Sequence, residues 1–197
     1  MDIDFLDLQT GINLVYGEAA TGKTTLAMEL ALRKAENNKV IFIDTERGFS
    51  IERLKQIDKN YKEKLDNILV IKIDSFKEQC KCFKDLLKAK NIKLIIVDTL
   101  GFFYRLELKR NPHYANKHLD KQLQVLSELS KDCDILINNQ VYHNIDDNKI
   151  EVVGGNMIKN WSKSIIRLEK SPRKIVYEKP DNKELRFKID NSGIIVL

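Results

Sequence analysis

Short apolar runs separated by amphipathic segments organise the first two thirds of the chain. Nearly all-apolar runs are typical of parallel strands covered on both faces, and they predict strands over 12–16, 40–44, 68–73, 93–98 and 134–138. Between these runs, apolar side chains recur at helical spacing and predict helices over 23–36, 76–90 and 115–130. Strands that alternate with helices indicate βαβ units around a central, mostly parallel sheet.

The pattern changes after residue 164. Short segments with alternating polar and apolar side chains predict strands, namely SIIRLEK, RKIVYEK, ELRFKID and GIIVL. The stretch KPDNKE reads as a turn between two of them, so antiparallel hairpins are expected to extend one edge of the sheet. The chain has no repeat and no Pro/Gly-rich linker, and its length suits one α/β domain over 1–197.

Composition places this domain among soluble proteins. Charged residues make up 32% of the chain and hydrophobic ones 43%, and no apolar stretch approaches the length needed to span a bilayer. The opening MDIDFLDLQTG has three acidic groups and no signal-like apolar run, so we expect a cytoplasmic protein. The net charge of +5 permits an acidic or nucleic-acid partner without requiring one. Cys80, Cys82 and Cys133 are expected to be reduced thiols rather than a zinc site or disulfide.

One segment carries a specific phosphate-binding pattern. Residues 17–24, GEAATGKT, match G-x-x-x-x-G-K-[ST] between a predicted strand and a predicted helix, a context that disfavours a glycine turn without a ligand. The glycines let backbone N–H groups turn inward around a phosphate, and the helix N-terminus adds its positive end. Lys23 would reach the β- and γ-phosphate oxygens, and the Thr24 hydroxyl would coordinate Mg²⁺. The predicted nucleotide-binding residues are Gly17, Glu18, Ala19, Ala20, Thr21, Gly22, Lys23, Thr24 and Thr25.

Polar side chains at the ends of other predicted strands complete this site. Asp98 ends the buried run LIIVD and is expected to hold Mg²⁺ together with Thr24. Glu46 follows the strand VIFID, where a carboxylate can polarise a water for attack on the γ-phosphate. The alternative is that Glu46 caps a helix beginning near Ser50. Gln140 follows the strand DILIN and can read the γ-phosphate by hydrogen bonding.

The order of the motifs is more specific than the phosphate-binding loop (P-loop) alone. Five segments follow one another along nearly the whole chain: GEAATGKTTLA, FIDTERGFSIERL, LIIVDTLGFFYR, NNQVY and GGNMIKNWSKSIIRLEK. In this order they resemble the RecA/RadA recombinase superfamily, and most of all its short archaeal RadB family. The resemblance implies a RecA-like P-loop ATPase core with C-terminal hairpins and without an N-terminal DNA-binding domain. It also implies the cofactors ATP and Mg²⁺.

The resemblance assigns roles to individual residues. Glu46 matches the family's catalytic glutamate, and Gln140 matches the γ-phosphate sensor that communicates with the DNA loop behind it. Together with Lys23 they form the expected catalytic group. Arg53 falls where the recombinases place an arginine against the adenine face, which suits a planar guanidinium. The turn that closes the DNA loop is matched by Gly154, Gly155 and Asn156.

Two loops of the family face DNA, and both have counterparts here. The first, about 101–114, combines basic groups for phosphates with aromatic rings for bases, so Arg105, Lys109 and Arg110 are the expected DNA contacts. The alternative is a solvated basic pair beside aromatic residues that belong to the core. The second, about 141–153, is short and carries three acidic residues against one lysine.

Departures from the family pattern shape the expected function. The acidic second loop, the lack of an upstream F-x-x-A polymerisation segment and a shortened lead-in to the P-loop all argue against autonomous filaments and strand exchange. We therefore expect an ATP-binding, weakly hydrolysing accessory protein of DNA repair and homologous recombination, associated with the nucleoid. Its expected partners are single-stranded DNA and a recombinase or other repair protein. The alternative is a regulatory ATPase of the same fold that acts on proteins, as circadian-clock-like ATPases do.

Overall fold

The computed structural model describes residues 8–144 and 149–197, and its strands follow the predicted alternation. The five predicted parallel strands are β1 Ile12–Gly17, β2 Lys39–Asp44, β3 Ile68–Lys72, β4 Ile92–Asp98 and β5 Asp134–Asn139. A small hairpin follows, made of β6 Val141–Asn144 and β7 Lys149–Val152. The C-terminal strands are β8 Ser162–Lys170, β9 Arg173–Lys179, β10 Lys183–Asp190 and β11 Gly193–Val196.

The helices include the three that apolar spacing predicted. In chain order they are α1 Lys23–Lys34, α2 Ile51–Ile57, α3 Tyr61–Leu65, α4 Phe76–Leu86, α5 Gly101–Leu108, α6 Pro112–Leu129 and α7 Gly155–Trp161. Three of them begin after a capping residue whose side chain accepts a hydrogen bond from the N–H three positions on: Ser50, Ser75 and Asn111. Among the described residues, no helix has the length and apolar character needed to cross a membrane.

The nine-stranded sheet has the order β11-β10-β9-β8-β1-β5-β4-β2-β3. Strand β1 pairs in parallel with both β5 and β8, whereas β8 to β11 are joined by antiparallel pairings. The predicted C-terminal hairpins therefore do extend one edge of a mostly parallel sheet, and the predicted α/β fold class is confirmed.

Both faces of the parallel strands are buried, which explains their nearly continuous apolar sequence. On β4, Ile95 and Val97 pack into the layer formed with α4 to α7, while Leu94 and Ile96 pack into the layer formed with α1 to α3. All four side chains are essentially inaccessible to solvent. Burying an aliphatic side chain of this size contributes about 1.5–3 kcal/mol, so each strand is held mainly by the helices that cover it.

Strand register brings polar residues together at the carboxyl edge of the sheet. Asp98 lies opposite Asp44 on one side and Asn138 on the other, and Tyr16 lies opposite Asn139. Helices and loops that follow parallel strands leave from this edge, where α/β proteins bind ligands. The register alone thus gathers side chains that are far apart in the sequence.

The segment 101–114, expected as a loop, is mostly helical. Leu100, Tyr104 and Leu108 recur at a spacing of four and face the core, and the Tyr104 hydroxyl donates to Asn116 Oδ1 at 2.7 Å. This apolar spacing makes 101–108 a helix, which turns back on α6 through a short connection at 109–111. In the second expected loop, residues 145–148 lie outside the described residues, and so does the opening 1–7.

Candidate nucleotide site

Close packing fixes the P-loop where its two glycines stand. A Cβ on Gly17 would lie 2.3 Å from the carbonyl oxygen of Leu168, and one on Gly22 would lie 2.5 Å from Ile189 Cδ1. Gly22 also has φ +107°, in the region that side chains rarely adopt. Both positions therefore require glycine, because the loop passes directly against β8 and β10.

Lys23 lies folded over the loop that precedes it. Its Nζ donates to the carbonyl oxygens of Gly17 at 2.8 Å and Glu18 at 2.7 Å. Burial lowers the pKa of this ammonium, while the negative charges of Asp98 and Glu46 act in the opposite direction. The cation is thus held inside the loop, at the first turn of α1, where phosphate oxygens would lie.

An arginine from the C-terminal sheet also contacts the P-loop. Arg173 Nη1 lies 3.3 Å from the carbonyl oxygens of both Ala20 and Thr21, and Ala20 has φ 63°. Donation to these carbonyls helps to hold Ala20 in the left-handed conformation, which residues other than glycine rarely adopt. Sequence reasoning missed Arg173, since no local pattern connects β9 to residue 20.

Asp98 and Thr24 form the predicted metal pair. The Asp98 carboxylate is 2% exposed and accepts hydrogen bonds from the Thr24 hydroxyl and from Asn138 Nδ2, the latter at 3.1 Å. Burial raises the pKa of Asp98 to about 6, against the lowering effect of these two donors. Asn138 Oδ1 is buried without a hydrogen-bond partner in the described part of the chain.

This donor set fits Mg²⁺ bound together with a nucleotide. The described residues contain no group of three or more His, Cys, Asp or Glu side chains that could hold a metal by themselves. Mg²⁺ prefers hard oxygen ligands, keeps several waters, and is usually held by one or two side chains plus substrate phosphates. Thr24 and Asp98 offer two such oxygens beside the loop, and a cation bound there would lower the raised pKa of Asp98.

Glu46 faces the same cleft from the end of β2. Its Oε1 accepts from the Thr99 hydroxyl at 2.6 Å, and its Oε2 accepts from Gln140 Nε2 at 2.7 Å. Thr99 is held in turn by Thr45, whose Oγ1 accepts from the Thr99 N–H at 2.8 Å. The carboxylate is therefore oriented by two side chains at the ends of neighbouring strands, and a positioned carboxylate of this kind can orient a water.

The alternative role of Glu46 as a helix cap is excluded. Ser50 Oγ accepts from the Arg53 N–H at the start of α2, and the Asp44 carboxylate accepts from the N–H groups of Gly48 and Phe49. Those two residues take the capping and loop-closing roles. Glu46 is left to face the cleft.

The cleft has a volume of about 350 Å³ and gathers most of the predicted residues. Its lining consists of Ala19, Ala20, Gly22, Lys23, Thr24, Thr25, Glu46, Asp98, Thr99, Gln140 and Ile189. Gly17, Glu18 and Thr21 line the opposite side of the same loop. A larger cleft of about 690 Å³ lies at the other end of the strands, where asparagine and lysine side chains predominate. None of the predicted nucleotide-binding residues lines it, so the smaller cleft is the candidate site.

Arg53 lies beside this cleft and contacts the C-terminal sheet. Its guanidinium donates to the carbonyl oxygens of Asp190 at 2.8 Å and Asn191 at 3.2 Å, and to Gln56 Oε1 at 2.9 Å. These bonds fix the turn that follows Ile189, a cleft residue. The contact of Arg53 with an adenine stays a prediction.

Asn139 connects the cleft to the segments expected to face DNA. Its Oδ1 accepts from the Gly101 N–H at 3.1 Å, and its Nδ2 donates to the Val153 carbonyl oxygen at 2.6 Å. The side chain is fully buried and immediately precedes Gln140. It thus joins the start of α5 and the end of β7 to the strand that ends at Gln140. The amide-rich run NNQ is visible in the sequence, but the two targets of Asn139 are not.

The expected DNA residues lie apart from the nucleotide cleft. Arg105, Lys109 and Arg110 are exposed at the end of α5 and in the connection to α6. Tyr104 is a core residue and Phe103 packs against the same core, so the alternative assignment is correct for these two rings. Phe102 is half-buried and meets Phe103 edge to face at 4.9 Å between centroids. DNA contact by the three basic residues stays a prediction.

Comparisons with known proteins identify the family of the chain. A sequence model of the Rad51 family matches residues 8–196. The chain is 40% identical to a DNA repair and recombination protein RadB of Methanococcus maripaludis, over 94% of this chain and 91% of that protein. It is 37% identical to the RadB protein of Methanocaldococcus jannaschii, over 94% and 93%. A crystal structure of the RadB recombinase superposes with a TM-score of 0.80 at 31% identity, covering 95% of this chain and 90% of that one. The chain belongs to the RadB family of RecA/Rad51-type proteins.

Proposed function

We propose that this protein is an ATP-dependent accessory factor of DNA repair and homologous recombination. It would bind ATP with Mg²⁺, hydrolyse it slowly, bind DNA, single-stranded DNA above all, and modulate a main recombinase or other repair protein. The relatives are named as DNA repair and recombination proteins, which supports the biological role. The nucleotide cleft and its connection to the α5 region support the molecular role.

The proposed division of labour follows the side chains of the cleft. Lys23 would neutralise the β- and γ-phosphates, Thr24 and Asp98 would hold Mg²⁺, and Glu46 would orient the attacking water. Held by Thr24 and Asp98, Mg²⁺ would supply positive charge against the negative charge that develops on the phosphates. Thr99 and Gln140 hold the Glu46 carboxylate through hydrogen bonds of 2.6 and 2.7 Å, which fixes its direction before any ligand arrives.

The contact between Gln140 and Glu46 carries the proposal. Gln140 is bonded to Glu46 in the cleft, and its fully buried neighbour Asn139 is bonded to Gly101 and Val153. A γ-phosphate that competes for the Gln140 amide would act on the strand end that holds both DNA-facing segments. Nucleotide state and DNA affinity would therefore be coupled, and the coupling must be reciprocal.

A combined measurement tests this function. ATP hydrolysis is followed with and without single-stranded DNA, and DNA affinity is measured over a salt series with and without a non-hydrolysable ATP analogue. We expect slow turnover, a DNA affinity that falls steeply with salt, and a change in that affinity with the analogue. A variant with Arg105→Gln, Lys109→Gln and Arg110→Gln should lose DNA affinity and keep ATP binding.

Two outcomes would contradict the proposal in different ways. Robust ATP-dependent strand exchange by the purified protein alone would show a recombinase rather than an accessory factor. Absence of DNA binding even at low salt would instead favour the regulatory ATPase that acts on proteins, because contacts with phosphates contribute most to DNA affinity at low salt.

A further inference from the structure

A group of lysines lies outside the nucleotide cleft, where α4 packs on α6. The two helices meet at Phe76 and His118, with ring centroids 6.5 Å apart, and at Cys80, whose Sγ accepts from Gln122 Nε2 at 3.2 Å. Lys84 lies one turn beyond Cys80 on α4, and Lys117 and Lys121 flank His118 on α6. We refer to Lys84, Lys117 and Lys121 as the lysine face.

Among the described residues, no carboxylate is paired with the lysine face. Within the described parts of the chain, none of its three ammonium groups forms an ion pair or a hydrogen bond, while nearby acidic groups are engaged elsewhere. Asp85 is paired with Lys88, and the Asp120 carboxylate accepts from Gln124 and Trp161. Glu78 accepts from the Asp74 N–H. Glu107 on α5 acts electrostatically on Cys80, where Lys84 opposes it.

The charges of the lysine face act on the pKa of His118, which lies between them. Its partial burial lowers its pKa, and the charges of Lys121, Lys84 and Lys117 lower it further. All three lysines therefore lie close enough to act on one point between the two helices. Cations that lie near one another without ion-pair partners repel one another, so an anionic partner would relieve the repulsion.

The lysine face continues a basic stripe along α6. His113, Lys117 and Lys121 follow one another at a spacing of four and are exposed, and Lys109 and Arg110 lie just before the helix. At 1.5 Å per residue, the stripe from 113 to 121 is about 12 Å long. A strand of duplex DNA carries a phosphate about every 3.4 Å along the axis, so several phosphates would lie within reach.

We propose that the lysine face binds the phosphate backbone of DNA, as a surface additional to the α5–α6 connection and the β6–β7 hairpin. Binding there would be independent of sequence, because the neighbouring rings of Tyr114 and His118 lie tilted against each other at 46° with centroids 4.1 Å apart, and the edge of Phe76 contacts both, so neither ring is a free platform for a base. DNA that contacts Lys109 and Arg110 would continue along the flank of α6. This inference rests on the proposed function, since it takes DNA as the partner.

Matched triple variants test the lysine face. One variant carries Lys84→Gln, Lys117→Gln and Lys121→Gln. The control carries Lys55→Gln, Lys59→Gln and Lys62→Gln, which removes the same charge from exposed lysines in the layer across the sheet. Melting temperatures and ATP hydrolysis without DNA, measured for both, establish that fold and cleft are intact.

Fluorescence anisotropy with labelled duplex and single-stranded oligonucleotides of mixed sequence then gives the salt dependence of binding. The dependence of log K on log salt should become shallower by about 2.7 for duplex if three phosphate contacts are lost, and by about 2.1 for single strands. The form of DNA whose change is the larger fraction of its own expected value is the one that occupies the lysine face. The control variant should keep the slope of the unmodified protein.

The outcomes separate this inference from the proposed function. If the unmodified protein binds no DNA at low salt, the proposed function fails and the inference falls with it. If DNA binds and the Arg105, Lys109 and Arg110 variant loses slope while the lysine-face variant matches the control, only the inference is wrong. If the lysine-face variant loses affinity for a poly-glutamate peptide but not for DNA, the face binds acidic protein and the inference is also wrong.

Discussion

The nucleotide cleft and the α5–α6 connection both contain charged side chains, but the two regions hold them differently. In the cleft, Lys23, Asp98 and Glu46 are held by hydrogen bonds to neighbouring groups, and the first two are buried. In the connection, Lys109 and Arg110 are exposed. The first region fixes its charges in place before a ligand arrives, whereas the second offers only a basic field.

This difference teaches where specificity is expected. Desolvated charges interact strongly with a ligand that fits their geometry, and poorly with one that does not. Exposed cations act through a screened field that attracts any polyanion and weakens with salt. The cleft should therefore discriminate among nucleotides, and the connection should bind DNA without reading sequence. Substitutions in the cleft should have large effects at any salt, and those in the connection should have effects that disappear at high salt.

Substitution of Lys23 by Ala should have the largest effect. It removes the cation that would face the β- and γ-phosphates, and charge-assisted hydrogen bonds of this kind contribute about 1.5–3 kcal/mol each. With two such bonds lost, ATP affinity should fall by at least about 100-fold, to below calorimetric detection. DNA affinity without nucleotide should stay unchanged.

Lys55→Ala is the matched control, since Lys55 is exposed on α2 and outside the cleft. Unchanged calorimetric ATP affinity in Lys23→Ala would refute the phosphate assignment. A parallel loss in the control would point to general charge rather than to the cleft.

Substitution of Glu46 by Gln should separate binding from turnover. The amide keeps the shape of the side chain but cannot accept a proton, and loss of a general base typically costs about 10²- to 10⁴-fold in rate. ATP should still bind, while steady-state phosphate release falls. Glu63→Gln, in the exposed helix α3, is the control. A hydrolysis rate unaffected by Glu46→Gln would remove this residue from the catalytic role.

The two regions also differ in how well the sequence predicts them. The strands β1 to β5 follow from apolar runs, and the structure confirms them. The P-loop follows from a local sequence pattern, and its binding of phosphate stays a prediction. The segment 101–114 is expected as a loop because the family has a DNA loop at that place, although Leu100, Tyr104 and Leu108 already show helical spacing. The loop expected from the family was therefore wrong for 101–108, and the apolar spacing of four in the sequence was the correct guide to its helix.

Long-range contacts could not be predicted in the same way. Arg53 bonds to the carbonyl oxygens of Asp190 and Asn191, and Arg173 bonds to that of Ala20, across more than half of the chain. Such pairs depend on strand order and register, which arise from the whole sheet. Asn139 is a similar case, because any buried amide at a strand end can take several partners.

Substitution of Asn139 by Ala should break the connection between the two regions. It removes the bonds to the Gly101 N–H and the Val153 carbonyl oxygen, and leaves both groups without this partner. Losses of about 1–1.5 kcal/mol per buried bond, with added desolvation costs, amount to roughly 3 kcal/mol of unfolding free energy. Urea unfolding measures this loss.

The same variant should keep ATP affinity and lose the effect of nucleotide on DNA affinity. Asn139→Asp is the informative companion, because it can still accept from Gly101 and cannot donate to Val153. If DNA affinity in Asn139→Ala responds to the ATP analogue as in the unmodified protein, the two regions are coupled by another route.

The smallest effect is expected for a buried carboxylate on α1, outside the cleft, and it concerns the pH dependence of stability. Glu29 is 1% exposed, and its Oε1 accepts from the Ile194 N–H at 2.6 Å. Burial raises its pKa from 4.5 to about 7. Because the folded protein then binds more protons than the unfolded chain, this contribution to stability is complete below pH 4.5 and is lost as the pH rises through 7. The total change is at most about 3 kcal/mol.

Glu29→Gln should flatten that pH dependence, since the amide does not titrate and can still accept from Ile194. Urea unfolding between pH 4.5 and 8 measures it, with Glu63→Gln as the exposed control. We expect the stability difference between Glu29→Gln and the unmodified protein to grow in favour of the variant across this range, and to stay level in the control. A difference independent of pH would mean that Glu29 is charged in the folded protein at all these pH values.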